Sequence, residues 1–529
     1  MSSKHLGTSL IGCFAITRSP LRFVLVAAFL ALAACASQNV SPPTTIEKPV
    51  DKSEVARMYA TVLENVHKMY LDEIPVEELA LSGLAGLSKL EPGAIVKRKE
   101  DRVDLQINGT SVGFVAAAPR NDSDGWASAI EDLIKSGRKA STKLAKAEIE
   151  NIYKVTIDAI LVDLDRYTRY DGKQAGLRNR ESREGFGGIG VSIVGHDQGV
   201  RVKAVSSDLP ASRAGIVAGD IIVNIDGMPL RGLSLRRIVR LLRGPLSKPV
   251  QVTVQRENQS APIDLLISRT RIIPTTVFYQ ARDRYAYLKV TGFNQDTTTE
   301  LSENVQKAVR EFGGALDGIV IDLRGNPGGL LDQAVSAADL FLQTGRISTT
   351  RGRHPDSLQL FDASEGEIAQ DIPLVLLVNG ASASASEVLA AALQDHGRAV
   401  LIGSNSFGKG TVQTVIRLPN EGELILTWAR LHSPLGFDLN RIGVVPAFCT
   451  SGAKDIATVL KRSLGNPAPR AQIAASHAMT NKTRATAGKE CPWQPQEGDD
   501  VDIAVAKRIL EKPDLYKHAL GHSAPTAGS

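Results

Sequence analysis

The sequence predicts a multidomain α+β protein in which a mainly helical N-terminal region precedes a β-rich module and a layered α/β core. Three observations predict it. Apolar residues at helical spacing (Val55, Met58, Tyr59, Val62, Leu63, Val66) open the folded part of the chain. Short strands and glycine turns take over from residue 185, and after Pro274 apolar strands alternate with helical stretches. At 529 residues the chain exceeds one ordinary domain. Its 43% hydrophobic and 22% charged residues exclude a disordered chain, and a net charge of +5 spread over this length gives no reason to expect nucleic acid as a partner.

Residues 1–34 read as a lipoprotein signal peptide. Lys4, His5, Arg18 and Arg22 precede an apolar run, residues 23–34, which has the length of a signal-peptide core and falls short of a bilayer-spanning helix. Leu32, Ala33 and Ala34 stand directly before Cys35, a string that resembles the bacterial lipobox, in which the cysteine is lipidated and becomes the first mature residue. A secretory signal with an incidental cysteine is the plainer alternative. The lipid would hold the protein on a membrane facing the bacterial periplasm. Ala36 stands where an Asp often marks inner-membrane retention, which favours the outer membrane. Cys13 leaves with the signal, so only Cys449 and Cys491 remain, and in an oxidising compartment they read as a disulfide, with two free thiols as the alternative.

Residues 35–52, rich in Ser, Thr and Pro, read as a tether. Residues 53–184 form the N-terminal region: a helical hairpin through LALSGLAGLSKL, a strand pair at 103–118 turning at NGT, and a charged helix leading into LVDLDRYTRY. Residues 185–272 form the β-rich module. Its strands are GFGGIGVSIV, VRVKAVSS, DIIVNIDG, VQVTVQR and IDLLISR, and LSLRRIVRLLRG carries Leu235, Ile238, Val239 and Leu242 at helical spacing. Residues 273–450 alternate strands (YAYLKV, GIVIDLRG, PLVLLVNG, AVLIG) with helices near 297–312, after 329 and from 385. Residues 451–529 read as a polar extension with one helical segment, DIAVAKRILEK.

Three segments carry chemistry. In VLLVNGASASASEVLAAALQDHG (375–397) a buried strand ends at Asn379-Gly380 and a helix begins after the serines, so Ser384 falls where free backbone N–H groups and the positive helix end stabilise an oxyanion. Read alone, Ser382, Ser384 and Ser386 serve equally well as helix caps. In GSNSFGKGTVQTVIRL (403–418) Gly408 and Gly410 flank Lys409, and an extended strand puts Lys409, Thr411 and Gln413 on one face. Desolvation disfavours the ammonium, so a lysine in a dry site can accept the serine proton with Gln413 holding its amine. Alone, it is a surface lysine in a glycine turn. In DLRGNPGG (322–329) an amide of Gly328 or Gly329 joins the Ala385 N–H as an oxyanion donor, or the segment is simply a tight turn.

A nucleotide-binding reading of GSNSFGKGT fails twice. Gly410 stands where a metal-coordinating hydroxyl is needed, and TVQTVIRL is a β pattern where the phosphate loop must open a helix. The histidines, among them His196, His354, His396 and His432, show no ligand spacing, and no metal or other cofactor is expected.

Together the segments DLRGNPGG, NGASASASE and FGKGTVQ, in this order, resemble the carboxyl-terminal processing peptidases, serine peptidase family S41. The resemblance covers residues 160–447, including LDRYTRY (164–170). It implies a peptidase core of the ClpP/crotonase-like kind, with Ser384 as nucleophile, Lys409 as general base and Gln413 as its support. The interval of 25 residues between Ser384 and Lys409 agrees with the family's spacing. The module at 185–272 is similar to a PDZ domain, which binds C-terminal peptides by adding a strand and capturing the carboxylate in backbone amides. Gly187, Gly188, Ile189 and Gly190 would form that loop, and Arg243 of LLRGP is the gating candidate. Two departures stand out: Ala381 replaces a usual Gly, and GVVPAF (443–448) lacks an acidic residue.

The expected protein is a periplasmic endopeptidase acting on proteins with apolar C-termini, with an adaptor lipoprotein and a homo-oligomer among its expected partners. The alternative is an inactive PDZ adaptor on a peptidase-like scaffold.

Overall fold

The computed structural model describes residues 53–464, 491–494 and 500–523, all within the compact unit formed by residues 52–529. The signal peptide, Cys35 and the tether lie outside the described residues. No helix among the described residues is long and apolar enough to cross a membrane.

The core is a six-stranded sheet in the order Val277–Arg282, Tyr285–Val290, Gly318–Asp322, Leu374–Val378, Val400–Gly403, Phe448–Cys449. The first pair is antiparallel and the rest are parallel. Leu374–Val378 is buried at every position because both faces are covered. Leu288, Ile319, Ile321, Leu374 and Leu376 pack with the helices Thr297–Phe312, Leu331–Asp339 and Ala385–Asp395. Tyr287, Val320, Val375, Leu377 and Ile402 point the other way, onto Val501, Val505 and Ile509 of the helix Val501–Leu510.

That second layer corrects the reading of the tail. Instead of a polar extension with one helix, its described residues contain three, Ile456–Leu464, Val501–Leu510 and Pro513–Ser523, and they supply one wall of the core. The apolar helix Val501–Leu510 is the expected one; Ile456–Leu464 and Pro513–Ser523 escape a reading of the sequence because Lys461, Arg462, Asp514, Lys517 and His518 interrupt their apolar residues. Cys449 and Cys491 are joined by a disulfide.

A second sheet, in the order Gln359–Asp362, Arg346–Arg351, Glu423–His432, Thr411–Arg417, carries the lysine segment, and Arg169–Asp171 pairs with Glu423–His432. Leu418, Leu424 and Leu426 share a core with the N-terminal helices Glu54–Met69, Val76–Ala85, Ser123–Ala140 and Ile149–Leu161. The N-terminal region also holds a three-stranded sheet, with Ala94–Arg98 beside the expected hairpin Arg102–Ile107 and Thr110–Ala116.

The β-rich module is a five-strand path, Ile263–Ser268, Pro249–Gln255, Ile221–Ile225, Gly199–Val205, Val191–His196, closed by the helix Leu235–Leu242. GFGGIGVSIV, expected as one strand, is two. Phe186–Gly188 pairs with Thr270–Ile272, and Val191–His196 forms the sheet edge. The chain breaks between them at Gly190, whose φ of 85° interrupts an extended run.

Candidate active site

Ser384 sits where the sequence pattern puts it, between the strand Leu374–Val378 and the helix Ala385–Asp395. Its backbone has φ 56° and ψ −114°, a conformation that side-chain-bearing residues rarely adopt. Neighbouring contacts hold it there. Ala383 N donates to Asn326 O (3.0 Å), and Ser386 Oγ donates to the same carbonyl (3.0 Å). Ser382 Oγ donates to Leu323 O (2.8 Å). The DLRGNPGG turn is thus stapled to the serine segment by the buried Asn326, whose own Nδ2 reaches Val290 O (3.0 Å).

Gly328, at φ 101°, lies so close that a Cβ there would come within 2.9 Å of Ala385 N and of Ser384 Cβ. Only glycine fits, and the turn's backbone therefore flanks the first amide of the helix. The Gly328 N–H donates to Asn326 Oδ1 (2.9 Å). Beyond the turn, Arg324 pairs with Asp322 (2.7 Å), Asp500 (2.7 Å) and Asp502 (2.9 Å), and Asp322 also accepts from Tyr287 Oη (2.6 Å). Burial opposes charge on Asp322, but Arg324 and Lys289 beside it hold its carboxyl below the usual range.

Sequence reasoning missed the residue that joins the two halves of the site. Glu387 is fully buried. Its Oε2 accepts from Ser384 N (2.7 Å) and Lys409 N (3.0 Å), and its Oε1 accepts from Ser406 Oγ (2.6 Å) and Gly408 N (2.6 Å). One carboxylate therefore fixes the backbone of the serine and that of the lysine. Burial raises the Glu387 pKa, with the four donors opposing that shift. The signal was present: an acidic residue three positions into an apolar helix, where a capping box reaches back to the cap amide.

Lys409 is half-buried and its pKa is lowered, first by desolvation and then by the charge of Arg169, with Glu387 and Asp165 opposing. Its ammonium lies over the ring of Tyr167, 5.3 Å from the centroid, and Arg166 stacks on Tyr167 and on Phe407. The backbones of Ser384 and Lys409 converge, but no hydrogen bond joins their side chains among the described residues. Gln413 shares a face with Thr411, as expected. Its Nε2 donates to Thr411 Oγ1 (2.9 Å) and Thr427 Oγ1 (3.2 Å), not to Lys409. The pairing passes from Val412–Ala429 to Gln413–Thr427, so the extra residue, Trp428, lies on the partner strand and Thr427 comes opposite Gln413.

In the β-rich module an open groove of about 290 Å³ runs between the edge strand Val191–His196 and the helix, lined by Ile189, Val191, Ile193, Val239 and Leu242. Gly188 and Gly190 line it too. Gly187 does not: its backbone packs on Gly244 of the LLRGP turn, where a Cβ would come within 1.9 Å of the carbonyl oxygen. Arg243 closes one end of the groove, 3.6 Å above the Phe186 ring and 2.5 Å from Glu181.

A family model for Peptidase family S41 matches residues 284–448, and one for the PDZ domain matches residues 179–255. A carboxy-terminal-processing protease of Bartonella bacilliformis is 40% identical over 296 residues, covering 55% of this chain and 67% of that protein. The chain belongs to peptidase family S41. Within that family, a probable CtpA-like serine protease of Staphylococcus aureus is 33% identical over 305 residues, covering 57% of this chain and 60% of the relative. Among solved structures, a photosystem II D1 C-terminal processing protease is 24% identical, with a TM-score of 0.38, covering 75% of this chain and 92% of that one. The S41 protein described here is a serine peptidase with a PDZ domain.

Proposed function

We propose that this S41 peptidase is a periplasmic endopeptidase that cleaves proteins near their C-termini through a Ser384–Lys409 dyad. Ser384 Oγ attacks the scissile carbonyl while neutral Lys409 takes the hydroxyl proton and later returns it to the leaving amine. The Ala385 N–H and the Gly329 N–H receive the negative charge that develops on the carbonyl oxygen, since the Gly328 N–H of that pair already donates to Asn326 Oδ1. The observation that carries this reading is Glu387, whose single Oε2 gathers the backbone amides of nucleophile and base. A capping box alone accounts for the bond to Ser384 N; the bonds to Gly408 N and Lys409 N go beyond it.

The PDZ groove receives the substrate's C-terminus, with the edge strand Val191–His196 offering its backbone to an extended peptide. Arg243 is the gating residue. Its partner Glu181 lies on the helix Lys173–Glu184, which also carries Arg180 and Arg183, both paired with the buried Glu423 (3.1 and 2.6 Å). The strand that begins at Glu423 bears Thr427, the partner of Gln413. A lipid on Cys35 holds the enzyme at the membrane, with the outer membrane favoured.

The test is cleavage of an unstructured protein with an apolar C-terminus. The wild type is expected to shorten it from that end, and Ser384→Ala to bind without cutting. Equal behaviour of the two proteins, both binding, would leave an adaptor instead of an enzyme. Mass spectrometry of the mature N-terminus checks the lipid.

A further inference from the structure

The PDZ module carries an excess of positive charge that its fold does not use. Residues 185–272 contain twelve Lys and Arg against six Asp and Glu, a net +6, while the whole chain has a net +5. From Gly227 to Arg256 there is no acidic residue at all. The helix Leu235–Leu242 holds Arg236, Arg237 and Arg240, with Arg243 at its C-cap and no acid in its first turn.

Two rules of helix stability are broken there. Arg236 and Arg237 stand in the first turn, where the macrodipole favours acids, and Arg236 and Arg240 form a like-charged i,i+4 pair. Arg236, Arg237 and Arg240 are exposed and have no carboxylate partner among the described residues. Local rules broken without compensation mark places where function outweighs stability.

The placement identifies what the charge meets. Val239 and Leu242 point into the groove and Arg243 closes its end. Arg240 follows Arg236 by four residues and Arg243 follows Arg240 by three, so the three form one stripe along the exposed side of the helix, beside the groove that Val239, Leu242 and Arg243 line. The stripe spans about 10 Å, the reach of roughly three residues of an extended peptide. It runs away from the glycine loop at 188–190, which lies at the Arg243 end.

We infer that the groove selects substrate tails in which an apolar C-terminal end is preceded, about three to five residues upstream, by acidic side chains. This rests on the PDZ module receiving substrate C-termini. The apolar groove beside the stripe and the edge strand opposite it, paired on one side only, favour a peptide over an anionic membrane surface as the occupant.

The experiment uses the mature Ser384→Ala chain and fluorescent decapeptides sharing one apolar C-terminal tripeptide, preceded by Asp-Glu, Asn-Gln or Lys-Arg. The acidic peptide is expected to bind roughly fivefold or more tightly than the amide peptide, the effect of one to two exposed ion pairs, and less so at high salt. Arg236→Ala/Arg240→Ala is expected to abolish that ratio and leave the amide peptide's affinity unchanged. Equal affinities, or a ratio that survives the double substitution, overturn the inference. If no peptide binds, the PDZ reading fails and takes the inference with it. A ratio near one, together with loss of binding to anionic phosphatidylglycerol vesicles in the double variant, would assign the stripe to a membrane and also overturn it.

Discussion

The catalytic junction and the PDZ groove solve opposite problems with the same kinds of residue. At the junction the buried carboxylates of Glu387 and Asp322 are enclosed and shared. Glu387 holds four donors and Arg324 holds three carboxylates, and the polar groups sit at the ends of strands buried on both faces. Beside the groove Arg236, Arg237 and Arg240 are exposed with no carboxylate partner among the described residues, across from an edge strand paired on one side only. The junction is built to be one geometry, since a few tenths of an ångström decide whether an oxyanion meets its donors. The groove is built to be completed by something else.

Substitutions at the junction are expected to reduce turnover and those at the groove to alter which tails are bound. Ser384→Ala is expected to lower kcat by at least about 10⁴-fold while tail binding, read by fluorescence anisotropy, stays within twofold of wild type. Comparable loss of binding would mean that the two regions are one site. Glu387→Gln comes next. An amide cannot accept all four hydrogen bonds, because its NH₂ group faces donors, so kcat is expected to fall about 10²-fold with KM little changed. A circular-dichroism melt separates this loss of alignment from unfolding.

The legibility of the two regions follows the same contrast. Ser384, Lys409 and the PDZ module could be singled out because short segments carry them in a fixed order. Glu387 could not be assigned its role, since an acid near a helix start reads first as a cap and only the fold brings Gly408 and Lys409 to it. The tail is the larger omission. Its helices Val501–Leu510 and Pro513–Ser523 cover the sheet with residues distant in sequence, and such pairings leave no local pattern. The tail also reaches the site. Trp493 lies against Gly380, where a Cβ would meet it at 2.7 Å, and Asp500 pairs with Arg324. Gln413 shows the converse: the residue was legible but its bonding was not, because the register that skips Trp428 and brings Thr427 opposite it belongs to the partner strand.

Two smaller effects sharpen the comparison. Cys449→Ser/Cys491→Ser opens a loop spanning a sequence separation of 42, and loop entropy assigns such a link about 4 kcal/mol of stability. Melting in the reduced and oxidised states is expected to show the wild type losing several degrees on reduction and the double variant losing none. Arg243→Ala removes the bridge between groove and helix. It is expected to lower activity about threefold to tenfold on a protein substrate, a coupling of roughly 1 kcal/mol, with less effect on a short peptide that bypasses the groove. A double-mutant cycle with Glu181→Ala reads the coupling directly, and additive effects would remove Arg243 from the gating route.

The central claim is that Lys409, held beside Ser384 through Glu387, acts as its base. The most direct measurement is the rate at which a fluorophosphonate labels Ser384 as a function of pH. A base works only when neutral, so the rate must rise with pH through the Lys409 pKa. Desolvation and Arg169 lower that pKa, which places the midpoint below the ordinary lysine value of 10.5. The account predicts a single rising limb in the wild type and its loss in Lys409→Ala, with labelling slowed at every pH below the midpoint of an ordinary serine. A Lys409→Ala protein that labels with the wild-type rate and the wild-type pH profile would contradict it.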